Sequence, residues 1–559
     1  MTYTIQEELS NDGSMVYSYY NNNVSIPLNS LYSPSKEIER FLKKIENCEN
    51  QFFIFIGLGN GILLEKLIES KMFRNNVHYL FIEPFPEVRL ADSYLQTISS
   101  HDEISYLNSE SFTPLTFSAY LSKFIGISTN IQLHPNYSKT SDIRLKQCVQ
   151  IIKDGIETKK IMDNTEKKFS SDWLIEPLLN LPYTKNSISI KDLKGKYAGE
   201  KAILAASGPS LKTQMHVIKD VHDSYHIFSV GSALRALLSN GIEPDFVTSV
   251  DASEINYSTH FKGLEFSGAL IYETMSNSKI QKNHRGPSIV ARSQDDYITS
   301  QYEDLYTFPY PSPSVAIFTL QVIEYLGFSE VYLIGQDLAL LNGQYYAEGI
   351  KHHEGMYNLK TELMVENNLG EMTGTTLPLK IFLESMQNVI ESFTHTMRIY
   401  NLSSHGAKIK GTEYIEAIER SNNSKKQKNI YSMKSEEKDN KIQIKDFIKD
   451  IKMLQKDVKK ADSAVNSHLN KKYIDVNDMP GIVKQFRAVS KHRILEDVLM
   501  TKLTFEFNRV SNVFQTMKPR NRYTTKELMN MISELHNFYQ IIIKYLENIL
   551  SDERLEKYI

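Results

Sequence analysis

Apolar and polar positions along this chain fall into blocks that predict two α/β units followed by a helical tail. Ile38, Phe41, Leu42 and Ile45 sit at helical spacing just after Pro34 and Ser35, so a first domain opens there on a helix. The run 52–56 is continuously apolar and predicts a buried strand. Gly57, Gly59 and Gly61 predict a tight turn into a helix from Ile62, and HYLFIEP predicts a second buried strand ending at Glu83. Strand, glycine turn, helix, strand and acid together open a doubly wound sheet. The segment from about 140 to 180 reads as helical and connective. The same grammar then restarts, with strands expected at 202–206, 226–230, 246–250, 270–272 and 331–334 and a helix over 315–326. That spacing predicts a second, mostly parallel sheet.

After about Tyr414 the pattern changes. SNNSKKQKN is a polar, basic linker, and beyond it Phe447, Ile451, Leu454, Val458, Ala461, Val465 and Leu469 alternate spacings of four and three. Thr524 followed by Glu527 is a capping box for a last helix striped by Leu528, Ile532, Leu535, Tyr539, Ile542 and Ile549. The fold class expected is therefore α/β: an N-terminal Rossmann-like domain over 1–140, a central α/β domain over 141–415, and an all-α domain over 416–559.

A length of 559 residues exceeds one hydrophobic core and agrees with several domains. The net charge is only −3, which gives no global electrostatic case for nucleic acid or an anionic membrane. The basic stretch around Lys425 to Lys428 has no aromatic residues interleaved, so it reads as a solvated linker and no nucleic-acid partner is expected. Cys48 and Cys148 form no CxxC pair and no metal spacing, which suits a reducing compartment. The opening residues lack a basic and then apolar leader, and no run of about 18 apolar residues occurs, so neither a signal peptide nor a membrane span is expected.

The candidate chemistry lies between residues 201 and 410. AILAASGPSLK places Ser207, Gly208, Pro209 and Ser210 at a strand end and helix start, with Pro209 expected at the first helical position. Free amides and the helix dipole would favour an anion there, although a plain strand-to-helix turn also uses Gly and Pro. Gly231 and Ser232 repeat the arrangement, and Asp251 ends the following strand. Ligands of open α/β sheets bind at carboxyl strand ends, so Gly208, Gly231 and Asp251 are expected to crowd one crevice. Asp251 reads equally as a ribose or divalent-ion contact and as a turn aspartate. Ser314 opens the helix over 315–326. Gly335 and Asp337 exit the strand at 331–334, and a loop with Tyr345, Tyr346, His352, His353 and Glu354 follows. An acid, phenols and imidazoles after a strand end make a set of proton-transfer and phosphate-contacting groups. Asp337 either orients a base, contacts a sugar, or caps the next turn.

In order and separation, SGPSLK, SVGSAL, LGFSEVYLIGQDLA, NGQYYA and NLSSHGAKIKG resemble the motility accessory factor (Maf) flagellin glycosyltransferases. Over about 200 residues they are also similar to bacterial CMP-sugar sialyltransferases and to the 6-hydroxymethylpterin diphosphokinase-like superfamily. The resemblance implies a cytoplasmic enzyme that moves a nonulosonic acid, pseudaminic or legionaminic in type, from a CMP-activated donor to serine and threonine hydroxyls of flagellin. It implies that Ser207 to Ser210 cradle CMP, with Gly231, Ser232 and Ser314 approaching the nucleotide. Tyr346 would support the departing phosphate, and His352 or His353 would act as the base. No further cofactor is implied, and metal dependence stays open. Two positions depart from the sialyltransferase pattern. Ala339 stands where a second tyrosine follows the strand-end acid, so either Tyr345 or another group compensates, or the phosphate contact differs. Ser207 stands where those enzymes carry asparagine, which puts the nucleotide in doubt more than the sugar transfer.

Three rivals remain. A pterin diphosphokinase-like enzyme would use ATP and magnesium, with Asp251 among the metal-holding acids. A methyltransferase would use GLGNG and Glu83 for S-adenosylmethionine. A non-catalytic flagellin chaperone would grip a partner helix with the 447–469 seam, although core packing is the alternative use of that seam.

Overall fold

The computed structural model describes residues 3–21, 24–45, 51–70, 77–109, 111–124, 128–169, 171–341, 343–347, 363–393, 397–418, 426, 441–469, 478–500, 503, 506–507, 509–511 and 524–558. The chain divides into two compact units, one of residues 1–164 with 504–521 and one of residues 165–503 with 522–559. This partition differs from the expected three segments. The first boundary falls later than 140, and the C-terminal helices belong to the same unit as the larger sheet. The architecture is α/β with two Rossmann-like parallel sheets and an all-α C-terminal region.

The first unit opens on an antiparallel meander that the sequence reading missed: β1 (Thr4–Leu9), β2 (Met15–Asn21) and β3 (Val24–Pro27). Its signal was the alternation in MVYSYY, which buries Val16, Ser18 and Tyr19 while Met15 stays exposed. The doubly wound part contains β4 (Gln51–Ile56), β5 (Val77–Glu83), β6 (Ile104–Asn108) and β7 (Ser128–Leu133), all parallel in the order β6-β5-β4-β7. Strands β4 and β5 are buried along nearly their whole length, as continuous apolar runs require when helices cover both faces.

The second unit is built on nine strands. In chain order they are β8 (Ile188–Ser189), β9 (Lys201–Ala205), β10 (His226–Val230), β11 (Phe246–Ser249), β12 (Ala269–Glu273), β13 (Ser288–Ala291), β14 (Glu330–Ile334), β17 (Arg398–Asn401) and β18 (Glu413–Tyr414). A separate hairpin, β15 (Leu363–Glu366) with β16 (Met372–Thr375), lies between β14 and β17 in sequence. The sheet order is β18-β17-β14-β9-β10-β11-β12-β13-β8, and every pairing in it is parallel. The order reverses at β9, whose neighbours are β10 on one side and β14 on the other. This is the switch point at which open α/β sheets bind ligands.

The helical tail uses its apolar seam internally. Helix Lys441–Leu469 buries Phe447, Ile451, Leu454, Val458, Ala461 and Val465 and packs on helix Thr525–Leu550. Leu528, Ile532, Leu535, Tyr539, Ile542 and Ile549 are buried on that second helix. The Thr524–Glu527 capping box forms as expected: the Glu527 amide donates to the Thr524 hydroxyl at 3.2 Å, and the Thr524 amide donates to the Glu527 carboxylate at 2.8 Å.

Candidate functional site

A cavity of about 240 Å³ sits at the tips of β14, β9 and β10. It is lined by Ser207 and Gly208 after β9, by Ser232 after β10, by Pro313 to Ala316, and by Gly335 to Leu338 after β14, with Tyr345 and Tyr346 also contributing. Small-molecule clefts usually measure roughly 300–1,000 Å³. The described walls therefore enclose less space than a whole small-molecule cleft.

The two helix N-termini here differ in electrostatic state. Helix Leu211–Val221 begins after Ser210, so Pro209 lies in the preceding turn and not at the first helical position. The Ser210 amide donates to Asp337 Oδ2 at 2.8 Å. That carboxylate stands where the sequence reading expected a ligand anion, and it already offsets the positive end of this helix. Helix Val315–Leu326 begins after Ser314, whose side chain makes no capping bond. Val315 and Ala316, whose amides have no partner within an α-helix, line the cavity together with Ser314. An anion is thus better served by the Ser314 end than by the SGPS end.

Hydroxyls and phenols complete the wall. The Ser232 hydroxyl donates to the Ser207 hydroxyl at 2.9 Å. The rings of Tyr345 and Tyr346 lie 4.6 Å apart, and burial pushes both phenols above their usual range, so each stays protonated and able to donate. Asp337 is the one acidic side chain among the described lining residues, and no lysine or arginine joins it there. It is 2% exposed, burial raises its pKa, and both carboxylate oxygens are taken by the Ser210 amide and the Ser403 hydroxyl. Asp337 is consequently a strut under the pocket. It ties the β9 turn, not the turn that follows it.

Not every expected residue reaches this cavity. Gly208 does, and its missing Cβ makes room for the Gly335 carbonyl at 2.5 Å from that position. Gly335 has φ of +69° and receives the Gly208 amide at 2.7 Å, so both glycines serve backbone contact between β9 and β14. Gly231 opens helix Gly231–Ser239 but faces Phe261, whose ring would be 2.7 Å from an added Cβ. Gly231 does not line the cavity, and neither does Asp251, contrary to the single crevice expected for them. The Asp251 carboxylate accepts from the Ser253 amide at 2.8 Å and the Ser253 hydroxyl at 3.0 Å, closing its own turn. His352, His353 and Glu354 lie outside the described residues. Sequence reasoning missed Ser403, whose buried hydroxyl holds Asp337, and the apolar wall of Leu379 and Phe382.

The glycine turn of the first unit is closed by its own side chains. Glu83 accepts the Leu58 amide at 3.0 Å, the Phe85 amide at 3.1 Å and the Tyr137 hydroxyl at 2.8 Å. An added Cβ at Gly57 would meet the Tyr137 ring at 2.7 Å, and one at Gly61 the Tyr94 ring at 2.6 Å. The acid that the methyltransferase reading would assign to ribose is fully engaged with protein groups.

The fold agrees with comparisons to known proteins. A Maf glycosyltransferase from Magnetospirillum magneticum AMB-1 superposes over 98% of this chain and 93% of its own, with a TM-score of 0.53 at 15% identity. The fold is that of a Maf glycosyltransferase. Residues 176–343, which hold most of the cavity wall, match the family described as 6-hydroxymethylpterin diphosphokinase MptE-like. An uncharacterized protein of Treponema pallidum (strain Nichols) is 33% identical over 100 residues, which is 18% of this chain and 47% of that protein. The chain thus spans about half the length of that curated relative. The sialyltransferase CstII from Campylobacter jejuni, solved with cytidine-5'-monophosphate, is matched over 42% of this chain and 92% of its own at 14% identity, with a TM-score of 0.20 that carries no argument. Among the described residues, no helix of this Maf fold is long and apolar enough to cross a membrane.

Proposed function

We propose that this chain is a glycosyltransferase of the Maf type. It transfers a nonulosonic acid, pseudaminic or legionaminic in type, from a CMP-activated donor to serine and threonine hydroxyls of flagellin in the cytoplasm. The observation that carries the reading is the convergence at the switch point of an uncapped helix N-terminus at Ser314, the Ser207 and Ser232 hydroxyls, and two protonated phenols. The Ser314 helix end, the Ser207 hydroxyl and the phenols are donor groups suited to an oxygen anion, and the one lining carboxylate is already engaged by the Ser210 amide and the Ser403 hydroxyl. When the glycosidic bond to CMP breaks, negative charge grows on the phosphate, and Tyr346 and the helix end are suited to receive it. The acceptor hydroxyl must lose a proton as it attacks, and His352 or His353 is the proposed base. Asp337 is assigned to holding the pocket and Asp251 to a turn.

The match of residues 176–343 to the pterin diphosphokinase-like family favours one second reading, transfer of diphosphate from ATP with magnesium. Asp251, the acid that reading would use, is bound to its own turn and away from the cavity. Thermal shift with CMP, set against ATP and magnesium, separates the two. Co-expression with flagellin and a complete nonulosonate pathway then tests transfer: intact flagellin mass should rise by whole sugar units, and an unchanged mass with the donor present rejects the proposal.

A further inference from the structure

The loop after β17, residues 403–407 of the NLSSHGAKIKG motif, does not line the cavity, yet it is fastened to the residue that shapes it. The Ser403 hydroxyl is 1% exposed and donates to Asp337 Oδ1. The Gly406 amide donates to the Ser403 oxygen at 3.1 Å, and the Ala407 amide donates to the Asp337 carbonyl at 2.7 Å. An added Cβ at Gly406 would lie 3.0 Å from the Asp337 Cα, so glycine is needed for the loop to press this closely. The other carboxylate oxygen takes the Ser210 amide at 2.8 Å. One aspartate therefore ties the tips of β9, β14 and β17 together. Leu338, the next residue, holds φ of +50°, a left-handed conformation unusual for leucine, and its carbonyl is fixed by the Thr375 hydroxyl at 3.0 Å.

We propose that Ser403 is a positioning residue for the donor: acting through Asp337, it sets the Ser207–Ser210 turn against the Ser314 helix so that the pocket fits a nucleotide phosphate. The proposal rests on the CMP-donor reading. The Ser403 hydroxyl is the leading hydrogen-bond donor holding the Asp337 carboxylate, ahead of the Ser210 amide and side chain, so removing it takes a principal partner from a buried carboxylate. The carboxyl then rotates or takes a proton, and the Ser210 amide loses its fixed partner. The SGPS turn keeps its Gly208–Gly335 backbone bond but loses its tie to β17, which loosens the Ser210 end and the placement of the Ser207 oxygen that receives the Ser232 hydroxyl.

The test uses the full chain with CMP as the probe, by calorimetric titration, together with hydrogen exchange of peptides covering 207–211. Ser403→Ala should weaken CMP binding roughly tenfold and speed exchange at 207–211, with donor KM raised and acceptor KM unmoved. Ser403→Thr, which keeps the hydroxyl, should restore most of the affinity. Folded Ser403→Ala that binds CMP like the parent chain overturns the proposal. If Ser403→Ala does not fold, Asp337→Asn, which keeps the volume but cannot accept through both atoms, carries the same expectation, and equal affinity there overturns it as well. A parent chain indifferent to CMP would sink the donor reading and the ligand named here. The latch would then stand or fall on exchange alone, and unchanged exchange at 207–211 in Ser403→Ala would remove it.

Discussion

The Tyr137 hydroxyl donates to Glu83 at 2.8 Å and accepts from the Gly59 amide at 3.0 Å, so a protein side chain fills the place a nucleotide would take against the first glycine turn. Two units of one chain thus use the same strand–glycine–helix grammar for opposite ends. In the first, the glycines let tyrosine rings close over the backbone. In the second, the strand tips hold open a cavity lined by hydroxyls and phenols.

This closure has a pH signature. Burial pushes the Glu83 carboxyl up to about 7, despite four donors, the Leu58, Phe85 and Gly59 amides and the Tyr137 hydroxyl, that favour its charged form. Its folded pKa therefore lies above the unfolded value, so the folded state binds the extra proton between the two. Stability from this group is fully present below about pH 4.5 and is lost as pH rises through 7, by an amount on the order of 3 kcal/mol. Glu83→Gln cannot ionise. Its melting temperature relative to the parent should be higher at pH 8 than at pH 5, read by scanning calorimetry, and a difference independent of pH would refute the assignment. S-adenosylmethionine should shift neither melting curve.

The central strands were legible because parallel strands buried on both faces must be apolar throughout, and β9, β10, β11, β12 and β14 match their expected positions within a residue or so. Strands β8 and β18 have two residues each and carry no periodicity to read. The residues expected at the site were harder to place, because a glycine needed for packing looks like one needed for a ligand. Gly231 and Gly208 both follow strands, yet one makes room for Phe261 and the other for the Gly335 carbonyl. Asp337 was visible as a strand-end acid, but its partners Ser210 and Ser403 lie 127 and 66 positions away, and no local pattern encodes such pairings.

The wall predicts a division of labour between Ser314 and Tyr346. Ser314 opens a helix whose first residues line the cavity, so in the proposed reaction its hydroxyl and that terminus would contact the donor phosphate before and during bond breaking alike. Ser314→Ala should weaken CMP binding by about tenfold or less and raise donor KM, with kcat little changed. On the proposed mechanism, Tyr346→Phe removes a donor to charge that grows only in the transition state. It should lower kcat by roughly 10²–10³ while CMP affinity changes little. Steady-state rates of sugar transfer to flagellin, alongside titration with CMP, check both. Equal kcat for the phenylalanine variant and the parent would remove Tyr346 from the chemistry.

The helical tail yields a prediction that separates internal packing from partner capture. Leu454 is fully buried on helix Lys441–Leu469, which packs on helix Thr525–Leu550, and the neighbouring Met453 is 51% exposed. Asp462 joins the same two helices by accepting from His536 at 2.7 Å and from Gln540 at 2.7 Å. A seam already filled by its own chain has no face left for a partner helix. Leu454→Ala should therefore cost about 2–5 kcal/mol of stability, while Met453→Ala stays within about 0.5 kcal/mol of the parent. Denaturant melts of the two variants measure this directly. A chaperone that gripped flagellin through this seam would instead show Leu454→Ala with parental stability and lost flagellin binding, and that pair of results would overturn the internal-packing assignment.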